Sequence, residues 1–389
     1  MRTALPSALP DPDPGARAHS AAVVTALRAL VAAAGGFITF ERYMQHVLYA
    51  PRLGYYIAGA RKFGPDGDFV TAPEMTPLFG ATLAAQVAPI LAATHGRQLV
   101  ELGAGSGALA ADLLNALAAR DALPAQYLIL DVSPDLRERQ QATLAARAPG
   151  HVARVTWLDA LPERIDGAIV MNEVLDAIPP RLVVRRGGAW FERGVVAHPA
   201  LAWSERPLLD AVLIAMAAER FPPRVDYASE INPAAAALVG ELARRLVGGA
   251  MLLVDYGYPQ REFYAPERDG GTLLAHYRHR ATADPFVWPG LADLTTHVDF
   301  TAMAMAGVDA GLALAGFTTQ AAFLVNAGVL DALRDTGEPT SPAYLRAASA
   351  VQKLLGPMEM GESFKVLALA RSNGIAWPGF AQGDRSHRL

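Results

Sequence analysis

A mainly parallel α/β sheet with helices on both faces is the fold this sequence predicts. Three observations carry it: five short apolar strands separated by helical segments, two further strand candidates near the C-terminus, and a glycine turn that joins the first of these strands to its helix. At 389 residues the chain has room for one large domain with insertions or for two small ones.

Composition narrows the classes. With 52% hydrophobic and 19% charged residues, and 34 basic against 38 acidic groups, the chain is neither a disordered tail nor a polycation, so nucleic acid is not an expected partner. Only three of the basic residues are lysines, and alanine is abundant, so arginine frequency reflects compositional bias rather than a phosphate-binding surface. The absence of cysteine excludes disulfides, thiolate nucleophiles and thiolate metal sites. The longest apolar stretches, Ala21–Ala34 and Thr301–Phe317, contain Arg28 and Asp309 and fall short of the roughly 18 to 20 residues that span a bilayer, so no membrane insertion is expected. Met1–Ser20 is rich in proline and lacks an apolar core, which reads as a disordered lead-in without a targeting signal and predicts a cytoplasmic protein.

Along the chain, Ala21–Ala33 has helical spacing and stops at Gly35–Gly36. Gly54–Gly80 is dense in glycine, proline and aromatics and reads as a long structured loop, a candidate lid or binding loop. A helix follows over Leu78–Ala93, with Pro89 expected to kink or shorten it. The strands are then Gln98–Gly107 running into its turn, Gln126–Ser133, Val155–Leu161, Asp166–Pro179 and Ala250–Pro259. Helices fill the gaps at Ala108–Ala119 and Pro134–Arg147, and from Asn232, an N-cap with Pro233 behind it, to the stop at Gly248–Gly249. Arg181–Ser229 reads as an insertion of edge strands with a helix near Leu208–Arg220. Strands at Thr318–Val325 and Phe364–Arg371, with helices at Val329–Asp335 and Tyr344–Leu355 between them, complete the pattern.

The chemistry concentrates at the carboxyl ends of the strands, where open α/β sheets bind nucleotides. Gly103, Gly105 and Gly107 let the backbone turn sharply and let a ligand approach the main chain. Their spacing lacks the third glycine of a dinucleotide fingerprint, and no lysine or threonine follows to make a phosphate loop, so a nucleotide-like cofactor other than these is implied. Glu101 disfavours a pyrophosphate but suits an amine-bearing ligand such as S-adenosylmethionine. Asp131, at the end of the second strand, suits the hydroxyls of a ribose, or else caps the next helix. Asp159 suits an adenine amino group, or else a turn before Pro162. Asn172, Glu173 and Asp176 end the fourth strand, where polar groups would face the transferring group and its acceptor. Two carboxylates there could hold a guanidinium or accept a proton, and a helix-start cap is the plainer alternative. Asp255 and Tyr256 end the fifth strand in the same way.

The segments GDFVTAPEMTPLFG, ELGAGSGALAADLL, VSPDLRERQ, MNEVLDAIP, LLVDYGY, GTLLAHYRH, THVDF and MEMGESFKVL lie between about Gly54 and Leu367. As a set they resemble the MidA-like class I S-adenosylmethionine-dependent methyltransferases, whose mitochondrial relatives are the complex I assembly-factor protein arginine methyltransferases. The resemblance implies a Rossmann-like sheet of seven strands with an N-terminal lid segment and insertions, S-adenosylmethionine as cofactor, and methyl transfer to arginine of a partner protein, a respiratory complex I-type subunit. It assigns cofactor binding to Gly103, Gly105 and Gly107, makes Thr71, Pro73 and Glu74 part of the cofactor wall, and makes Glu173 and Asp176 the acidic pair near the acceptor. Asp131 departs from the family, whose members often carry glutamate there; the mitochondrial setting does not carry over to the lead-in.

The expected plan is therefore a lead-in over 1–20, helices and a cofactor-covering loop over 21–95, a core over 96–371 with insertions near 181–230 and 260–316, and a tail over 372–389. His297 with Asp299, and His276 with His279, are not expected to hold a metal, because methyl transfer from a sulfonium needs no Lewis acid. For His297 a base or substrate-orienting role stands beside a structural one. Two other functions fit the same residues: an assembly chaperone with a structural cofactor, and a methyltransferase acting on a small molecule. The apolar insertions leave room for a homodimer without requiring one.

Overall fold

The computed structural model describes residues 9–57 and 71–389, which form two compact units. One unit comprises residues 71–175, Ala237–Gly257 and Asp299–Leu389. Its sheet contains β1 (Gln98–Leu102), β2 (Gln126–Leu130), β3 (Val155–Leu158), β4 (Ile165–Asn172), β5 (Leu246–Tyr258), β6 (Ala313–Thr319) and β7 (Phe364–Ala370), side by side in the order β6-β7-β5-β4-β1-β2-β3. The two-residue strand Val298–Asp299 is an eighth member off this row. Neighbours from β3 to β5 run parallel, and β7 runs antiparallel to β5 and to β6.

Register decides what meets at the sheet edge. Leu102 of β1 is opposite both Leu130 of β2 and Met171 of β4, and Asn172 is opposite Val254 of β5. The residues that follow, Gly103, Asp131 and Glu173, therefore leave the sheet along one edge. The order reverses between β1 and β4, the switch point at which such sheets bind ligands. The strands are apolar on both faces, with Leu99, Ile129, Val170 and Leu252 on one and Val100, Ile169, Met251 and Leu253 on the other, all completely buried, and that burial holds the strand ends in place.

Several elements differ from the sequence reading. Ala72–Met75 is a short helix inside the segment expected to be one long loop, and the second helix, Pro77–Ala92, is the one expected over Leu78–Ala93; residues 58–70 of the loop segment lie outside the described residues. Pro89 neither ends nor shortens the second helix, because it forgoes one hydrogen bond while Val87, Ile90 and Leu91 are completely buried around it. The strand expected at Thr318–Val325 is β6 followed by the helix Gln320–Asn326, because the Thr319 hydroxyl accepts from the Ala322 N–H and caps a helix there. The C-terminal residues are docked: Phe380 is buried, and Gln86 exchanges hydrogen bonds with Ala376 and Gly379.

The other unit comprises the described residues up to 57, Asp176–Ala236 and Tyr258–Val298. Ile38–Thr39, Ala189–Val196, Arg181–Arg186 and Tyr227–Ile231 form an antiparallel sheet in that order, with Ala202–Pro207 beside Ala189–Val196; a second sheet of three strands is centred on Leu274–Tyr277. The helix Pro14–Ala33 begins inside the stretch expected to be disordered up to residue 20. Asp13 accepts from the Ala16 N–H, Pro14 occupies the first turn, and Val23, Leu27 and Val31 pack into a core with Phe40, Tyr43 and Leu48. Asn232 caps its helix as expected, accepting from the Ala235 N–H at 3.0 Å. Among the described residues no helix is long and apolar enough to cross a membrane.

Candidate active site

At the end of β1 the backbone takes positive φ at Gly103 (66°), Gly105 (54°) and Gly107 (84°), a conformation L-residues rarely adopt. A Cβ at Gly103 would lie 2.9 Å from Val174 Cγ2, and one at Gly107 would lie 2.9 Å from Gln140 Cα. The turn is thus hemmed in by β4's end on one side and by the helix Pro134–Arg147 on the other.

Around the turn the polar groups are mutually engaged. Ser106 Oγ donates to Glu74 Oε1 and accepts from the Ala108 N–H, so the short helix Ala72–Met75, with Thr71 as its N-cap and Pro73 buried, is tied to the turn. Asp131 accepts from the Ser133 N–H at 3.0 Å and from Gln140 Nε2 at 2.8 Å. The helix is capped by Ser133, which accepts from the Leu136 N–H, and this leaves Asp131 outside the capping position. Gln140 Nε2 also donates to the Gly105 carbonyl at 3.1 Å, and its Oε1 accepts from Trp157 Nε1 of β3 at 2.9 Å.

Glu101, 2% exposed, accepts from Tyr127 Oη at 2.7 Å. Burial pushes its carboxyl up to about 7, only partly opposed by the tyrosine hydrogen bond. Burial, reinforced by the Glu101 charge, also holds the Tyr127 proton more tightly than usual. Asp159 is placed differently: its side chain is 90% exposed and pairs with Arg137 at 2.8 Å.

The end of β4 has another construction. Glu173 is a non-glycine residue at φ 53°, its N–H donating to the Val254 carbonyl at 2.9 Å. The next two N–H groups, of Val174 and Leu175, both donate to Asp255 Oδ2, at 3.2 and 3.0 Å, and Asp255 is 1% exposed. Asp255 thus braces the turn that presents Glu173. Asn172 Nδ2 donates to Glu173 Oε1 at 3.1 Å, while the buried Asn172 Oδ1 has no hydrogen-bond partner among the described residues. A strained backbone held by a buried carboxylate is the kind of arrangement that functional sites retain.

Asp176 and His297 belong to the other unit, whose boundary falls between Leu175 and Asp176. Asp176 is 5% exposed and its carbonyl accepts from the Thr296 N–H at 3.0 Å. His297 donates its own N–H to Thr272 Oγ1 at 2.9 Å, and its ring lies 5.2 Å from that of Tyr258. His276 is pushed towards its neutral form by burial.

Of the residues singled out from sequence, Glu74, Gly103, Gly105, Gly107 and Asp131 share one hydrogen-bonded cluster, and Asn172 and Glu173 stand at the neighbouring strand end. Tyr127, Gln140, Trp157, Ser106 and Asp255 were not anticipated in these connections, because each depends on which strands become neighbours. Asp255 reads as a strand end in the sequence, and Ser106 and Gln140 lie in the motifs ELGAGSGALAADLL and VSPDLRERQ, but their partners are not legible there.

The edge fits S-adenosylmethionine on its own features. The glycine turn bares its main chain at three positive-φ residues, Asp131 offers an acceptor for ribose hydroxyls, and Asn172 Oδ1 is a buried acceptor without a partner among the described residues.

Comparison with known proteins agrees. A family model for S-adenosyl-L-methionine-dependent methyltransferases matches residues 82–318. The mouse mitochondrial protein arginine methyltransferase NDUFAF7 is 31% identical over 367 residues, covering 86% of this chain and 81% of the relative; the human protein is 30% identical over 370 residues, covering 86% and 80%. A crystal structure of a protein from Burkholderia thailandensis bound to S-adenosyl-homocysteine superposes with a TM-score of 0.94 at 50% identity over 98% of this chain and 100% of that one. These names overturn the cytoplasmic placement: the curated relatives are mitochondrial. That placement rested on the composition of a short N-terminal segment, which is independent of the fold.

Proposed function

We propose, from the premise that this chain belongs to the MidA-like family of S-adenosyl-L-methionine-dependent methyltransferases, that its methyl group goes to an arginine of a partner protein, a respiratory complex I-type subunit. The observation that carries the reading is the braced acidic turn at the end of β4, one strand away from the glycine turn. The 31% identity to a protein named arginine methyltransferase supports the choice of acceptor.

When bound, S-adenosylmethionine supplies an electrophilic methyl group on a sulfonium. Gly103, Gly105 and Gly107 admit it to the main chain, Asp131 accepts its ribose hydroxyls, Thr71, Pro73 and Glu74 wall it, and Glu101 and Asn172 lie towards its amino-acid end. Asp159 contributes at the rim. Glu173 localises the guanidinium by charge-assisted hydrogen bonds and takes the proton released as the new N–C bond forms. Positioning and charge placement supply most of the rate. The partner this reading needs is the substrate protein; a second copy of the chain has no role in it.

Incubation with isotope-labelled S-adenosylmethionine and extract from cells lacking the gene tests it. Enzyme-dependent label in methylarginine after hydrolysis of the protein fraction is the expected result. Label confined to small molecules would mean a metabolite methyltransferase, and cofactor binding without transfer would mean an assembly chaperone.

A further inference from the structure

We propose that Gln140 is the positioning residue for the cofactor's ribose: it fixes the Asp131 carboxylate relative to the glycine turn, so that the loss of Gln140 is read as a loss of hydroxyl recognition. This deepens the reading of Asp131 as the ribose acceptor and rests on it.

Gln140 sits in the middle of the helix Pro134–Arg147 and is completely buried. A buried amide must find partners for both its ends. Its nitrogen donates to two acceptors, the Gly105 carbonyl at 3.1 Å and Asp131 Oδ2 at 2.8 Å; its oxygen accepts from the indole N–H of Trp157 at 2.9 Å. Only one of the two amide orientations satisfies all three, because an oxygen turned towards Gly105 and Asp131 would face two acceptors and leave the indole facing a donor. One side chain is thereby joined to the residues that follow β1 and β2 and to β3 itself.

A second contact comes from the backbone. A Cβ at Gly107 would fall 2.9 Å from Gln140 Cα and 3.2 Å from its carbonyl oxygen, so the helix is seated against the third glycine at this residue while its side chain reaches the second. Asp131 is held at its other oxygen by the Ser133 N–H at 3.0 Å, and two anchors on two oxygens set the plane of the carboxylate. Removal of the Gln140 amide takes away the anchor on Oδ2. Glutamate in its place would keep the volume and could still accept from Trp157, but would turn an acceptor towards Asp131 and the Gly105 carbonyl, and like charge would push the carboxylate out of position.

A merely structural glutamine and a positioning one differ in what they do to a cofactor that lacks a ribose hydroxyl. Titration calorimetry with S-adenosyl-homocysteine and with its 2′-deoxy analogue separates them. In the parent, omission of the hydroxyl that Asp131 accepts is expected to weaken binding by about 10- to 100-fold, the range for a hydrogen bond to a charged group. In Gln140→Met, nearly the same shape without donors, S-adenosyl-homocysteine binds more weakly and the ratio between the two ligands shrinks to about threefold or less, because the acceptor no longer points at the hydroxyl. If Gln140→Met does not yield folded protein, Gln140→Glu carries the same expectation. A parental ratio in the variant, at whatever overall affinity, overturns the positioning role and makes Gln140 part of the core only. A parent that does not discriminate between the ligands removes Asp131 from the ribose and the proposal with it.

Discussion

The ends of β1 and β4 are neighbours in one sheet and are built in opposite ways. At the end of β1, strain is avoided by glycine and nearly every polar group is engaged: Gln140 with Asp131 and Gly105, Ser106 with Glu74, Glu101 with Tyr127. At the end of β4, a glutamate takes a φ of 53° that glycine would occupy at lower cost, and a buried amide oxygen of Asn172 has no hydrogen-bond partner among the described residues. In the proposed function the rigid cofactor calls for a preformed cradle, the role given to the first end, and the reacting nitrogen calls for a charge held where it does not relax, the role given to the turn that Asp255 braces.

The largest effect should appear at the strained end. Glu173→Gln is expected to lower the transfer rate by about 10²- to 10⁴-fold with the affinity for S-adenosyl-homocysteine changed less than about threefold. Glu173→Gly should lose transfer equally while raising thermal stability by about 1 kcal/mol, because glycine relieves the backbone. A Glu173→Gly protein no more stable than its parent would break the contrast drawn between the two ends.

At the cradle, Gly107→Ala should cost about 2 to 3 kcal/mol, from a forbidden φ of 84° and the approach to Gln140, with cofactor affinity lost in parallel. Denaturant unfolding with and without S-adenosyl-homocysteine reads both, and an undisturbed affinity would show that the turn does not touch the cofactor.

Glu101 gives a smaller, pH-dependent effect. In the folded protein its carboxyl keeps a proton to about pH 7, whereas in the unfolded chain it loses it near 4.5. Between these values the folded state binds the extra proton, so stability falls as pH rises through that window, by about 1.4 kcal/mol per unit. Glu101→Gln should remove this slope, and unfolding measured from pH 5 to 8 shows whether it does. The smallest change is expected from Asp159→Asn, because an exposed pair with Arg137 is screened by solvent; cofactor affinity should move less than about threefold. A larger loss would restore Asp159 to direct cofactor contact.

Much of this site was legible in the sequence, and the reason is local. A glycine turn, an aspartate at a strand end and a polar cluster after an apolar run are each written within about ten residues. The connections between them were not. Tyr127 meets Glu101 because β1 and β2 are in register, and Trp157 reaches Gln140 because β3 lies beyond β2. The helix at Gln320–Asn326 was misread because an apolar stretch has no marked period, and a single threonine cap decided it.

By itself, then, the sequence determined the order of strands and helices, the cradle's glycines and the identity of its acids, all of which follow from periodicity and from the conformations each residue type allows. Only the tertiary structure decided that the chain divides after Leu175, that Asp159 faces solvent while Glu101 is buried, that Glu173 is strained, and that Gln140 ties three strand ends together. Those facts depend on which strands become neighbours and on how deeply each side chain is buried, and no local pattern encodes either.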